Sequence, residues 1–499
     1  MHQAIEPDFA TFRAMAQKGN VVPVYSVRMA DLTTPLSLYC KFPHGNHSFL
    51  LESIEGDDPW ARFSLMGIAP RLIFKSSGST VSIINNGREE TFEVDNPLDK
   101  LRELFDSLKL VRPEDFPASP AAFVGYFSFD SYRYFRPDVP IMEKEPFEGP
   151  DIYLMFTDDL VLYDRFSNLL YIVHNVRLKP NDDLAKEYEK AVDRVSTLIK
   201  YVNGPLHEEY LWPIASSTDS TLQCNVEKND FVETATEVKE AIDSGTIQQM
   251  SLAQRWFAKL QATPVNMYRA MRYVEPAPYG YYLKMGSLEV MGTSPEAMAR
   301  TSNNEILLRS VGSETPRPGD PDSDMRVIEE ISGNRKAITD IEMFLDQIRK
   351  DIAKVAQTDG IRESPLNVER TMRMFRLAAS LRGHLKDGIS VFDVLKATFP
   401  DAMVCGVPRR ESLELIEKVE RDRRGVFGGG VGYIGLDNSM DLVTALRTVV
   451  IHRGKTHIQI GVPVNADSDA NRLFENGSLS AEELFDALNS AAAGLEGKL

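Results

Sequence analysis

Apolar positions recur along this chain with two alternating periods, and each period predicts a type of element. Near the start, Asp8 precedes Phe9, Phe12 and Ala16 on one helical face and Gly19-Asn20 follows, which predicts a short capped helix over residues 7–20. Between residues 48 and 173 the pattern changes to short apolar runs separated by turn residues, as at 48–54, 121–127 and 169–173, and predicts strands. Leu184, Tyr188, Ala191, Val195, Leu198 and Val202 return to the helical period, closed by Gly204-Pro205. A polar stretch with Ser216-Ser-Thr-Asp-Ser-Thr221 then reads as a linker. Beyond it a helix opens at Asp230, with Phe231, Ala235, Val238 and Ile242 on one face, and ends near Gly245 before a strand over 247–256. Further helices are predicted at 268–272, 325–356, 391–397 and 411–420, and strands at 281–283, 430–434, 442–452 and 457–462.

These elements divide the chain into an N-terminal region (1–202), a linker (203–225) and a C-terminal region (226–490). Mixed strands and long helices predict an α+β fold, with a two-sheet core and helices packed outside; periodicity leaves the strand order open. A composition of 43% hydrophobic and 26% charged residues is that of an ordinary globular protein. The formal net charge of -17 argues against nucleic acid or an anionic membrane as partner. It does not argue against a small anion, because a few local arginines set the field of a pocket. Cys40, Cys224 and Cys405 are too scattered for a disulfide framework or a zinc site, which fits a reducing cytoplasm. No run of about 18 apolar residues is present, and the first residues lack the features of a signal peptide.

Several segments carry a resemblance. Gly245-Thr-Ile-Gln-Gln249, Ser294-Pro-Glu296, Gly428-Gly-Gly-Val-Gly-Tyr433 and, nearer the start, Leu50-Leu-Glu-Ser-Ile-Glu55 resemble the large subunit (component I) of anthranilate synthases, within the chorismate-utilising enzymes. The resemblance covers nearly the whole chain and implies the fold just described. It also implies a site in which magnesium holds one ligand carboxylate, an arginine holds another, and a histidine acts as general acid and base. In tryptophan-pathway members the leucine–leucine–glutamate–serine element joins a proline-rich segment in a feedback site; the matching residues here are Ser53, Pro276 and Tyr279.

Set against that pattern, the chemical positions are altered. The positions matching the family's four metal carboxylates are Ala337, Asp340, Leu473 and Asn476, a poor set for a hard cation that prefers anionic oxygens, so no metal is expected and magnesium is doubtful. Asn476-Gly477 reads as a turn, with a helix restarting at Ser480 as a capping box. Arg373 and Arg376 stand where the family has histidines, and an arginine holds anions but exchanges no protons near neutrality. A surface salt bridge is the expectation for Arg373 and a ligand contact for Arg376. Ser313-Glu314 replaces glycine–threonine, which places a carboxylate toward an anionic ligand and calls for pairing with Arg376 or Arg409. Pro463 removes an amide donor and Phe427 replaces a tyrosine, while Gln249, Arg447, Gly428, Gly429 and Gly461 match the family.

The expectation is therefore a diverged chorismate-family protein that binds a carboxylate-bearing small molecule and does not run the magnesium-dependent reaction. Gln249, Arg376 and Glu314 are its expected reactive groups, with Arg447, Arg409, Gly406, Gly428, Gly429, Gly461 and Phe427 around the ligand. Two alternatives remain at this point: an active anthranilate synthase large subunit, and an inactive subunit paired with a glutamine amidotransferase or with its own kind.

Overall fold

In the computed structural model, which describes residues 5–54, 62–207, 222–258, 262–274, 277–371 and 373–492, two antiparallel sheets lie face to face. Among the described residues the first sheet has 11 strands, in the order Val21–Met29, Leu169–Arg177, Asp159–Asp164, Phe63–Ile68, His47–Ser53, Tyr279–Met285, Leu288–Ser294, Arg447–His452, Lys455–Val464, Met250–Ala258 and Gln223–Cys224. The second has 12, running Arg362–Glu363, Met374–His384, Glu305–Pro316, Ala297–Ser302, Met440–Thr444, Gly430–Gly435, Ala122–Phe127, Ile152–Phe156, Leu72–Ser77, Thr80–Asn85 and Arg88–Glu93, with Asn367–Arg370 also paired to Met374–His384. The N-terminal and C-terminal regions join edge to edge within both sheets. His47–Ser53 pairs with Tyr279–Met285 in one, and Ala122–Phe127 with Gly430–Gly435 in the other. Most of the linker lies outside the described residues.

Alternation along the strands fills three apolar layers. Val124, Tyr126, Tyr281, Leu283, Val290 and Val450 point between the sheets. Tyr282, Met291 and Val449 point out of the first sheet onto Val195 and Leu198 of helix Leu184–Val202, Met271 of Pro264–Val274 and Leu484 of Ala470–Ala492. Phe123 and Phe127 point out of the second sheet into the layer that holds Leu345 and Ile352 of helix Arg335–Val355 and Leu395 of Val391–Thr398. A strand covered on both faces is apolar at nearly every position, which is why 121–127 reads as an unbroken run. Each large side chain so buried contributes roughly 1.5–3 kcal/mol.

Four elements differ from the periodicity. The first helix is shorter, Phe9–Met15, with Asp8 accepting from the Thr11 amide at 2.8 Å. The helix expected over 325–356 is two, Pro321–Gly333 and Arg335–Val355, because the Asn334 side chain caps the second by accepting from Lys336 and Ala337. The strand expected over 442–452 is also two, Met440–Thr444 and Arg447–His452, which belong to different sheets. The break expected at Asn476-Gly477 is absent: Ala470–Ala492 is one continuous helix. Gly477 is there for contact, since a Cβ would lie 1.8 Å from the Gln254 Oε1 of the strand beneath. Tertiary packing overrides the local turn preference. Among the described residues no helix is long and apolar enough to cross a membrane.

His457 gives the fold a measurable acid sensitivity. It is buried against Phe257, with ring centroids 4.9 Å apart, and neither ring nitrogen has a hydrogen-bond partner. Burial, helped by the charge of Arg255, pushes its pKa down to about 4. The ring is then neutral in the native state but takes a proton in the unfolded chain below about pH 6.5. Stability present above that value is lost as pH falls toward the folded pKa. Urea midpoints of wild type and His457→Phe are expected to converge or cross in favour of the variant as pH drops from about 7 to about 4.5; a constant difference across the range would contradict a neutral ring.

A candidate ligand site between the two sheets

The site forms where the chain passes from one sheet to the other. Leu288–Ser294 ends in the first sheet, Pro295-Glu296 crosses, and Ala297–Ser302 begins in the second. Met440–Thr444 and Arg447–His452 make the reverse passage through Ala445-Leu446. Backbone bonds fix this second crossing: Gly428 donates to the Ala445 carbonyl at 2.7 Å, and the Ala445 amide donates to Gly429 at 2.9 Å. Arg447 is thereby set at the wall of a cavity of about 290 Å³. Met403, Val404, Phe427, Leu446, Ile460 and Leu484 give the cavity an apolar body. Ser251, Ser480, Arg447 and Glu483 supply its polar side chains, and among the described lining residues only Arg447 and Glu483 are charged.

Opposite, strand Glu305–Pro316 carries one residue more than its partner Met374–His384 between Val311 and Glu314. Such a bulge bends a strand and re-aims its side chains. Here it sets Glu314 across from Arg376 and turns its carboxylate onto Arg447. Arg447 Nη2 donates to Glu314 Oε2 at 2.5 Å, and Arg376 Nη1 stands 3.7 Å from Glu314 Oε1. Arg376 is buried, donates to the Pro295 carbonyl at 3.2 Å and places its Nε 3.4 Å from Glu369, which also accepts from Arg309 at 2.5 Å. The result is a line of alternating charge, Arg309, Glu369, Arg376, Glu314 and Arg447. Beside it Glu296 is buried with Oε1 unpartnered; burial, with the Asp401 carboxylate nearby, pushes its pKa well above the carboxylate range against the pull of Arg309 and Arg376.

The other expected residues are placed unequally. Phe427 and Gly461 line the cavity, and a Cβ at Gly461 would lie 2.7 Å from the Phe427 ring. Gln249 is not among the lining residues; its carbonyl accepts from the Val407 amide at 3.0 Å. Gly406, at φ +119°, is glycine because a Cβ would lie 2.3 Å from that same carbonyl. Gly428 and Gly429 are not ligand donors in this geometry, since their amides already donate to Ala445 and Val426. Arg409 does not reach Glu314 or the cavity. It is buried on Asp351, with Nη1 and Nη2 at 3.0 and 2.6 Å from the two carboxylate oxygens, and it donates also to the carbonyls of Ala397 and Thr398. Arg373, expected in a surface salt bridge, instead donates to the Val274 carbonyl and lies over the Tyr273 ring.

The residues at the family's metal positions do not fit magnesium. Leu473 is buried in the apolar layer and Ala337 packs against it. Asp340 lies beside Lys336 and Asp467, which are ion-paired to each other at 2.7 Å, and burial raises its pKa. Asn476 is exposed. Among the described residues no three His, Cys, Asp or Glu side chains come together as a metal site. A hard cation finds Asp340 and Asp467 there, with the Lys336 ammonium already seated on Asp467.

Ser53 and Tyr279 meet elsewhere, as register partners in the first sheet, and line a separate cavity of about 40 Å³ with Arg300, Tyr433 and Asp441. The Arg300 guanidinium lies 4.6 Å over the Tyr279 ring. Pro276 lies outside the described residues. Sequence reasoning assigned no role to Glu296, Glu369, Ser251 or Glu483. The Ser-Pro-Glu match was a signal for Glu296, whereas Glu483 reads locally as a helix cap and only the unbroken helix brings it to the cavity.

The arrangement can hold a small ring carboxylate between an apolar wall and Arg447. The chorismate binding enzyme family matches residues 61–475. Anthranilate synthase component 1 of Aquifex aeolicus is 30% identical over 482 residues, 96% of this chain and 97% of that one. The protein of the same name from Pseudomonas putida is 29% identical over 90% of this chain and 91% of its own. Among solved structures, anthranilate synthase component I of Streptococcus pneumoniae superposes with a TM-score of 0.74 at 20% identity, covering 92% of this chain and 98% of that one. The menaquinone-specific isochorismate synthase of Escherichia coli gives 0.70 at 16%, covering 96% and 98%. This chain belongs to the chorismate binding enzyme family.

Proposed function

We propose that this protein binds a carboxylate-bearing small molecule, chorismate or a relative, through Arg447, and that it does not perform the magnesium-dependent anthranilate synthase reaction. The observation that carries this reading is the Glu314 carboxylate seated on Arg447 at 2.5 Å. An internal anion holds the guanidinium that in the family grips the ligand. Two further features support it: Leu473 turns a metal-ligand position into core, and Arg376 replaces a proton-exchanging histidine with a permanent cation.

A second reading, an active large subunit supplied with ammonia by a glutamine amidotransferase, is favoured by 30% identity over 96% of the chain with a protein of that name. The first reading is tested by calorimetric titration with benzoate, the simplest ring carboxylate, without magnesium. Wild type is expected to bind it and Arg447→Ala to bind about 30-fold more weakly, the loss of about 2 kcal/mol for truncating one partner of a charged contact. Equal affinity in the two proteins, with unchanged melting temperatures, would overturn it.

A further inference from the structure

We propose that Glu314 makes the cavity selective for ligands that carry an ammonium beside their carboxylate, that is, for amino-carboxylates with an apolar body. The inference rests on the reading of Arg447 as the carboxylate anchor and adds the class of ligand.

The argument is one of charge. Arg447 lines the cavity and holds a ready ion pair with Glu314, 2.5 Å away and next to the lining rather than part of it. A ligand with carboxylates alone has to share Arg447 with Glu314 and lie against a like charge. A ligand with both groups sets its carboxylate on Arg447 and its ammonium on Glu314, so that every charge meets an opposite one. Glu314 does not depend on Arg447 alone, because Arg376 Nη1 is 3.7 Å from its other oxygen and is itself buried. The carboxylate therefore stays in place when the ligand takes over part of the Arg447 guanidinium. The bulge at Gly312-Ser313 is what aims Glu314 at this point, and a strand in regular register would not place it across from Arg376. Glu483 adds a carboxylate in the lining itself, and no second cation lines the cavity among the described residues. The apolar wall formed by Met403, Val404, Phe427, Leu446, Ile460 and Leu484 fits a hydrocarbon or aromatic body, and about 290 Å³ is room for one ring with a short chain.

Three probes share one body and differ only in charge: phenylalanine (both groups), 3-phenylpropanoate (carboxylate alone) and 2-phenylethylamine (ammonium alone). Each is titrated into wild type, Glu314→Gln and Arg447→Ala, with melting temperatures to confirm folding. Wild type is expected to prefer phenylalanine over 3-phenylpropanoate by about tenfold, the yield of one charge-assisted hydrogen bond. Glu314→Gln is expected to invert that order, losing phenylalanine and gaining 3-phenylpropanoate, while Arg447→Ala loses both. An Arg447-dependent site that takes 3-phenylpropanoate as well as phenylalanine, or whose preference Glu314→Gln leaves unchanged, overturns the role of Glu314 and leaves the carboxylate anchor standing. Phenylalanine binding that survives Arg447→Ala belongs to another cavity and overturns the proposal. Failure of all three probes on every variant overturns both the proposal and the anchor.

Discussion

Replacing Arg409 by alanine is expected to lower the unfolding free energy by about 3–5 kcal/mol, the cost of leaving one member of a buried ion pair without its partner. Arg409 and Asp351 are both buried, and the guanidinium meets both carboxylate oxygens as well as the carbonyls of Ala397 and Thr398. It thereby ties helix Arg409–Val419 to Arg335–Val355 and Val391–Thr398. After truncation Asp351 keeps only weaker support from Gln347 and the half-exposed Lys354, each at 3.0 Å, and the two carbonyls lose a donor inside the protein. Urea midpoints of wild type, Arg409→Ala, Asp351→Ala and the double variant measure the effect. A double variant no worse than either single one is the expected pattern for a coupled pair. Benzoate affinity should not move. A stable Arg409→Ala protein with weakened benzoate binding would return Arg409 to the ligand site, where the sequence alone had suggested it.

How far the sequence could be read follows from the range of each interaction. The helices and strands announce themselves through local periodicity, and Ala122–Phe127 is apolar at nearly every position because both of its faces are covered. The order of strands is set by partners far apart in the chain, such as Ser53 with Tyr279, and no local pattern encodes it. The crossing at Ala445-Leu446 leaves no trace either, since no glycine, proline or asparagine marks it; its cause is a pair of backbone bonds to Gly428 and Gly429. Asn476-Gly477 misleads in the opposite way. Its turn chemistry is real, but Gly477 is needed where the helix touches Gln254. Gly333-Asn334, by contrast, is a readable helix break that the long apolar periodicity of 325–356 obscured.

The site divides along the same line. Glu314, Arg376 and Arg447 stand out in the sequence as charged residues where the resemblance implies ligand contact, and the structure brings the three together. Arg409 and Asp340, grouped with them on the same grounds, belong elsewhere, because charge at a matching position does not say which partner it meets. Asp351 and Lys336 are those partners, or lie next to them, and neither carries a signal in the sequence. The bulge that turns Glu314 toward Arg447 is likewise a property of strand pairing.

The largest functional effect follows from these placements taken together. Loss of one transition-state donor typically costs about 100- to 1000-fold. In this chain the positions matching the family's metal ligands include a core leucine, those matching its histidines hold arginines, and an internal carboxylate sits on Arg447. Such losses do not simply add, but on the proposed reading neither the positions matching the metal ligands nor those matching the histidines supply the charge stabilisation and proton transfer that the reaction needs. The most direct measurement is incubation of the purified protein with chorismate, magnesium and ammonium, followed by anthranilate fluorescence. The proposed reading predicts no anthranilate above the rate without protein. Magnesium-dependent turnover at ordinary enzyme rates of roughly 1–1000 per second, abolished by Arg447→Ala, would contradict it.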